Sequence, residues 1–179
     1  MTEENEFHLL QVGKPAPAWA ATAYQKGEEF KKLSSSNFEG KWVVLFFYPR
    51  DFTFVCPTEL KAFGDAHDKF KEANAELVAC STDSEWSHKV WFERDLGSVT
   101  YPVLADTTQD IAWDYGVLVE DSGEALRGTF IVDPEGVLRY SLVSDMNVGR
   151  SVEETLRVLE ALQNGGLCPI GWKKGEDTL

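Results

Sequence analysis

The run Trp42-Val-Val-Leu-Phe-Phe-Tyr-Pro-Arg-Asp-Phe-Thr-Phe-Val-Cys-Pro-Thr-Glu-Leu60 carries the pattern from which the rest of the chain can be read. Trp42 to Tyr48 is apolar without alternation, as in a central strand buried on both faces. Pro49 ends the run, and Cys56 opens an amphipathic helix with Pro57 in the first turn, where proline is tolerated. Leu60, Phe63 and Phe70, with His67 between them, extend the helical spacing to about Ala73. A cysteine at a helix N-terminus sits in a positive field that favours thiolate over thiol. The thiolate is the nucleophile, so Cys56 is poised to attack an electrophile.

On either side of this run the chain alternates in type. Val12 to Trp19 is extended and punctuated by prolines, and Ser34-Ser-Ser36 is a short loop. Glu76 to Ser81 is a second short strand, and Ser84 to Arg94 a helix with Trp86, Val90 and Trp91 on one side. Tyr101 to Leu104 is a strand and Thr108 to Tyr115 a short helix. Arg127 to Val132 and Val137 to Val143 are strands joined by the turn Asp133-Pro-Glu-Gly136. A last helix begins at Ser151, where Ser151-Val-Glu-Glu154 fits a capping box. Leu156, Leu159 and Leu162 give it a core face, and Asn164-Gly-Gly166 ends it. This order predicts an α/β fold of the thioredoxin-like kind, a central mixed sheet flanked by helices. Residues 1–163 form that domain. Residues 164–179 read as a mobile tail that carries Cys168 and buries little.

The net charge of −13 argues against nucleic acid or an anionic membrane as partner, since both need clustered Lys and Arg. No apolar run approaches the roughly 20 residues of a membrane span. The acidic start, Met1-Thr-Glu-Glu-Asn-Glu6, lacks the apolar core of a signal peptide, so a cytoplasmic location is expected. Three cysteines, Cys56, Cys80 and Cys168, are too few and too scattered for a disulfide framework. No pair of them, and no pairing with His8, His67 or His88, has metal-ligand spacing, so no metal is expected.

A nucleophilic thiol acting on a peroxide needs a donor to align the oxygens and a cation for the charge passing to the leaving oxygen. Thr53 and Pro49 lie in the loop before Cys56. The Thr53 hydroxyl could reach the sulfur or a bound oxygen, and Pro49, with no N–H, could shield it. Arg127 is the first candidate cation and Arg150 the second, and Glu59 could orient an arginine by a bidentate pair. Each has an ordinary alternative. Cys56 could be a small buried side chain, Thr53 a helix cap, and both arginines surface charges. Cys80, inside an apolar strand, reads as packing, and Cys168 as either an exposed inert thiol or a second redox cysteine.

The segment Phe47-Tyr-Pro-Arg-Asp-Phe-Thr-Phe-Val-Cys-Pro-Thr-Glu-Leu60 closely resembles the active-site segment of the typical 2-Cys peroxiredoxins, and within them is most similar to AhpC, the peroxidase component of bacterial alkyl hydroperoxide reductase. The resemblance extends in order through Val12-Gly-Lys-Pro-Ala-Pro17, Ser81-Thr-Asp-Ser84, Arg127-Gly-Thr-Phe-Ile-Val-Asp133, Val148-Gly-Arg-Ser-Val-Glu-Glu-Thr-Leu-Arg157 and Cys168-Pro-Ile-Gly-Trp172. It implies a thiol-dependent peroxidase acting on hydrogen peroxide and organic hydroperoxides. In that reading Cys56 is the peroxidatic cysteine, with Pro49, Thr53 and Arg127 completing the peroxide pocket. Glu59 and Arg150 are the supporting ion pair. Cys168 is the resolving cysteine, supplied by a partner subunit. The resemblance further implies a homodimer, with a ring of five dimers as the larger assembly, no cofactor, and a dithiol reductant such as thioredoxin or a flavoprotein disulfide reductase. A redox relay or holdase chaperone on the same fold is the alternative function. Glu59, three residues after Cys56, argues against a Cys-x-x-Cys disulfide oxidoreductase. Two departures from the peroxide-sensitive members, Arg94-Asp-Leu-Gly-Ser98 in the loop position and the short reach beyond Cys168, predict resistance to over-oxidation.

Overall fold

The computed structural model describes residues 10–179. The acidic run at 1–6 and His8 lie outside them. In chain order the elements are β1 (Ala20–Tyr24), β2 (Lys31–Ser34), a 3-10 turn (Ser35–Phe38), β3 (Trp42–Phe47), α1 (Cys56–Asp65), α2 (His67–Glu72) and β4 (Ala75–Ser81). There follow α3 (Glu85–Asp95), β5 (Val103–Ala105), α4 (Asp110–Asp114), β6 (Leu118–Val119), β7 (Glu124–Ala125), β8 (Arg127–Val132), β9 (Leu138–Ser144) and α5 (Val152–Asn164). Seven strands form one mixed sheet in the order β2-β1-β5-β4-β3-β8-β9, and β6 pairs with β7 apart from it. β3 runs parallel to β4 and antiparallel to β8.

The unbroken apolar run of β3 has a direct packing consequence. Successive side chains of a strand point to opposite faces. Val44 and Phe46 enter one core with Leu60, Phe63, Phe70, Trp91, Phe92 and Leu159, under α1, α2, α3 and α5. Val43, Leu45 and Phe47 enter a second core with Trp19, Ile111, Tyr115 and Phe130, under α4 and the N-terminal segment. Both faces are therefore dry, and the strand ends abruptly at the loop that leads to Cys56.

Four details differ from the expectations. The helix predicted from Cys56 to about Ala73 breaks at Ala66 into α1 and α2. A Cβ at Gly64 would lie 3.1 Å from the Ser98 carbonyl oxygen, so that backbone packs directly on α1, and the break lets His67 turn inward to Thr100 Oγ1 at 2.7 Å. Burial and the nearby Lys71 hold the His67 imidazole below its usual pKa. In α3 the buried stripe is His88, Trp91 and Phe92, with the spacing i, i+3, i+4, whereas Trp86 and Val90 are exposed. At the start of α5 only half of the capping box forms. Ser151 Oγ accepts from the Glu154 amide at 3.1 Å, but the Glu154 carboxylate turns to Arg157 instead of the cap. The segment beyond α5 buries more than its composition suggested, because Trp172 is 2% exposed.

Candidate active site

Cys56 is the first residue of α1 and is 1% exposed. Val55 caps the helix without a side-chain bond, and the Thr58 and Glu59 amides donate to its carbonyl. The sulfur thus lies within the first turn, where unsatisfied N–H dipoles concentrate positive potential.

The side chains around it form a chain of charge. Arg127, at the start of β8, donates through Nη1 to Cys56 Sγ at 3.5 Å and to Glu59 Oε2 at 2.6 Å. Its Nε is fixed by the Met146 carbonyl at 2.7 Å. Glu59 then takes three bonds from Arg150, from the backbone amide at 2.7 Å, Nε at 2.8 Å and Nη2 at 2.9 Å. Arg150 Nη1 donates to the Gly128 carbonyl at 2.7 Å. All three side chains are almost wholly buried, so neither arginine is a surface charge. Burial opposes ionisation of Glu59, but the hydrogen bonds and charge of Arg150, with a smaller contribution from Arg127, hold its carboxyl below the usual range. One carboxylate between two guanidiniums leaves one positive charge in excess, and Arg127 presents it to the sulfur.

The loop before Cys56 is held by a network that motif reading did not find. Asp51 is 3% exposed, and its Oδ1 accepts from Tyr48 OH at 2.7 Å. Its Oδ2 accepts from Ser87 Oγ at 2.8 Å and faces His88 Nδ1 at 2.8 Å. His88 Nε2 faces the Leu104 carbonyl at 3.2 Å, and the Asp51 amide donates to Asp83 Oδ2 at 2.9 Å. These bonds tie the loop to β5 and α3. Burial, with the charge of Asp51, pushes the Tyr48 phenol well above its usual pKa, so it remains a donor. Phe52 adopts a left-handed φ of 58°, a conformation costing about 1–3 kcal/mol for such a side chain. Its ring lies against Trp91 at 5.7 Å, and Arg94 Cζ sits 5.1 Å from the ring centroid. The polar residues at the end of β3 and in the first turn of α3 were the only sequence signal for this network.

The other residues named from sequence fall as follows. Pro49 is buried at the end of β3. The Thr53 hydroxyl donates to the Arg50 carbonyl at 2.9 Å, which leaves its oxygen lone pairs free to accept. Cys80 is fully buried in β4, where burial, with a contribution from Asp106, pushes its thiol well above the usual range. Cys168 is half-buried beyond the C-terminal end of α5, with its thiol 3.7 Å from the Ala161 carbonyl. Arg150, beside the Cys56 site, stands at the opposite end of that helix. About 15 Å of helix axis therefore separates the two sulfurs' neighbourhoods within one chain.

A profile of the AhpC/TSA family matches residues 12–141. Among proteins, the chain is 49% identical to peroxiredoxin-4 of Bos taurus, over 98% of this chain and 68% of that one. It is 48% identical to the putative peroxiredoxin in the rubredoxin operon of Clostridium pasteurianum, over 94% and 98%. Among solved structures it superposes on the reduced 2-Cys peroxiredoxin of Plasmodium vivax with a TM-score of 0.89, at 40% identity and 93% and 91% coverage. The AhpC of Enterococcus faecalis gives 0.84 at 39% identity, over 88% and 98%. A cysteine at a helix start, faced by a buried arginine, thus sits in a chain that belongs to the AhpC/TSA family and is a peroxiredoxin, a thiol-dependent peroxidase.

Proposed function

We propose that Cys56 is the peroxidatic thiol and that Cys168 of a second copy is the resolving thiol. The observation that carries this reading is the single Arg127 nitrogen shared between Cys56 Sγ and Glu59. A cation so placed stabilises the attacking sulfur before reaction and the charge leaving it during reaction.

The Cys56 thiolate attacks one peroxide oxygen, the O–O bond breaks, and the leaving oxygen takes a proton to depart as water or an alcohol. Cys56 becomes a sulfenic acid. Arg127 contacts the developing charge. Thr53 accepts a hydrogen bond from the peroxide or, on turning from Arg50, donates one, and Pro49 keeps water from the sulfur. Glu59 and Arg150 hold Arg127 in place. Cys168 then bonds to the Cys56 sulfur and expels the hydroxyl as water. A disulfide needs Cβ atoms about 4 Å apart, and the span of α5 favours a partner chain as the source of Cys168. A dithiol reductant, thioredoxin or a flavoprotein disulfide reductase, restores both thiols by exchange.

A second copy also suits the edge of the sheet. β9 is its last strand, with Leu142 41% and Val143 43% exposed. Two such edges complete each other's hydrogen bonds. This supports a homodimer, and the ring of five dimers extends the same proposal. Among the described residues no helix is long and apolar enough to cross a membrane. A cytoplasmic setting, where thiols stay reduced, suits three free cysteines. The comparisons favour the peroxidase over the relay or holdase alternative.

Non-reducing electrophoresis after one equivalent of peroxide tests the reading. A disulfide-linked dimer is expected from the wild type and is lost in both Cys56→Ser and Cys168→Ser. A cross-link that survives either substitution would overturn it.

A further inference from the structure

The loop before Cys56 carries a second cation that the reaction at the sulfur does not use. Arg50 follows Pro49, and its backbone carbonyl is the group that accepts from the Thr53 hydroxyl at 2.9 Å. Its side chain, 53% exposed, reaches across to β7, where Nε lies 3.0 Å from Glu124 Oε1. The hairpin under Glu124 is pinned, because the Thr82 hydroxyl donates to the neighbouring Gly123 carbonyl at 2.7 Å. Arg127 stands three residues on from Glu124, so at most about 10 Å of chain separates the partner of the outer cation from the cation at the sulfur.

Arg50 is loosely held. Among the described residues its terminal nitrogens make no hydrogen bond to protein. Arg94, which lies over Phe52 of the same loop, is by contrast closed off by three hydrogen bonds to Asp95. An exposed ion pair contributes little, so another carboxylate displaces Glu124 at small cost. Apolar surface lies close by. Phe54, next to Thr53, is 94% exposed, and Val148 is 60% exposed beside Gly149, where a Cβ would lie 3.7 Å from Val55 Cγ1. A free cation, apolar surface and a nucleophilic sulfur around one loop suit a molecule with a carboxylate, an alkyl chain and a hydroperoxide.

We propose that Arg50 is a specificity-determining residue, which favours organic hydroperoxides that carry a carboxylate over neutral ones of the same carbon skeleton. The proposal rests on the Cys56 reading above and names the substrate class that this site prefers. The carboxylate pairs with the Arg50 fork in place of Glu124, and the alkyl chain lies over Phe54 and Val148. The reaction itself is that of any hydroperoxide. The Cys56 sulfur takes the terminal hydroxyl, the O–O bond breaks, and the alkoxide takes a proton from water to leave as a hydroxy acid. Glu120 and Asp121, exposed on the hairpin, repel an anion from further away, so the preference arises at contact and not by steering.

First-turnover rates of sulfenic acid formation at Cys56, quenched with a sulfenic acid trap and weighed, test this with a medium-chain fatty-acid hydroperoxide and its methyl ester. The two differ by one charge, so the acid-to-ester ratio cancels any general damage to the loop. Arg50→Gln is expected to lower that ratio about fivefold, the worth of one exposed ion pair. Arg50→Lys, which keeps the charge without the fork, should fall between. Glu124→Gln, which removes the competitor, should raise the ratio. A ratio unmoved by Arg50→Gln overturns the proposal even where both rates drop, because Arg50 then only positions the loop. Should that variant not fold, Glu124→Gln decides by sign, and a ratio that is unchanged or lower overturns the proposal. A wild type that forms no sulfenic acid at Cys56 even with hydrogen peroxide would instead sink the Cys56 reading.

Discussion

Arg150 binds Glu59 with its own backbone amide as well as with two guanidinium nitrogens, so the end of the loop before α5 and the side chain that charges it hold one carboxylate together. The first turn of α1 is thereby joined to the start of α5, and Arg127 is drawn into the same cluster.

Glu59→Gln removes the negative charge between two buried guanidiniums. Breaking a buried pair on one side costs about 3–5 kcal/mol, which urea unfolding at neutral pH should register. The pH dependence has a definite sign. The Glu59 carboxyl is held below its usual range in the folded state, so its contribution is present above the unfolded pKa. It is lost as pH falls through the lowered folded value. The stability difference between wild type and Glu59→Gln should therefore be flat at neutral pH and shrink on acidification through the carboxylate range. A difference that grows on acidification would contradict the pairing.

Arg127→Gln leaves Glu59 still held by three hydrogen bonds from Arg150 but takes the cation from the sulfur. Removing one preorganised donor of developing charge costs about 10²–10³ in rate. Stopped-flow peroxide reduction should fall by that order with a smaller loss of stability. A rate within threefold or so of wild type, far less than one such donor's worth, would remove Arg127 from the reaction.

Asp51→Ala leaves Tyr48 OH, Ser87 Oγ and His88 Nδ1 without their shared acceptor. Each buried group left unpaired costs about 1–3 kcal/mol. The melting temperature should drop by several degrees or more, and the peroxide reaction should slow even where the variant stays folded, because the 49–55 loop loses its anchor. Full activity in a folded Asp51→Ala protein would show that the loop is positioned by other contacts.

Cys80→Ala tests the opposite expectation. The Cys80 thiol is buried and pushed well above its usual pKa, so it contributes packing and no chemistry. Peroxidase activity should be unchanged, with a stability loss of about 1 kcal/mol. In timed alkylation of the native wild type, Cys80 should be the last of the three thiols to react.

Much of the sheet is legible in the pattern. β3 lies within one residue of its expected bounds because an apolar run without alternation suits only a strand covered on both faces. β1 and β2 give no such signal: Ala20–Tyr24 and Lys31–Ser34 are short, partly exposed and weakly apolar, and they become strands by pairing with β5 and with each other. The α1–α2 break is also hidden, since the groups packed at it, the Ser98 backbone on Gly64 and the Thr100 hydroxyl on His67, come from far along the chain. At the site, Cys56 is visible from its place before Pro57. Local spacing offers Arg127, Arg150 and Glu59 only as candidates, because their meeting depends on β8 lying beside β3 and on the turn before α5 folding back.

By itself the sequence determined the local matters: a dry central strand and a helix opened by a cysteine and a proline. These follow from periodicity and first-turn chemistry, which act over a few residues. Only the tertiary structure decided which charges face the sulfur and how Asp51 anchors the loop through α3. Burial made those choices, because a charge removed from water must find its partner wherever the chain brings one, at whatever distance along the sequence.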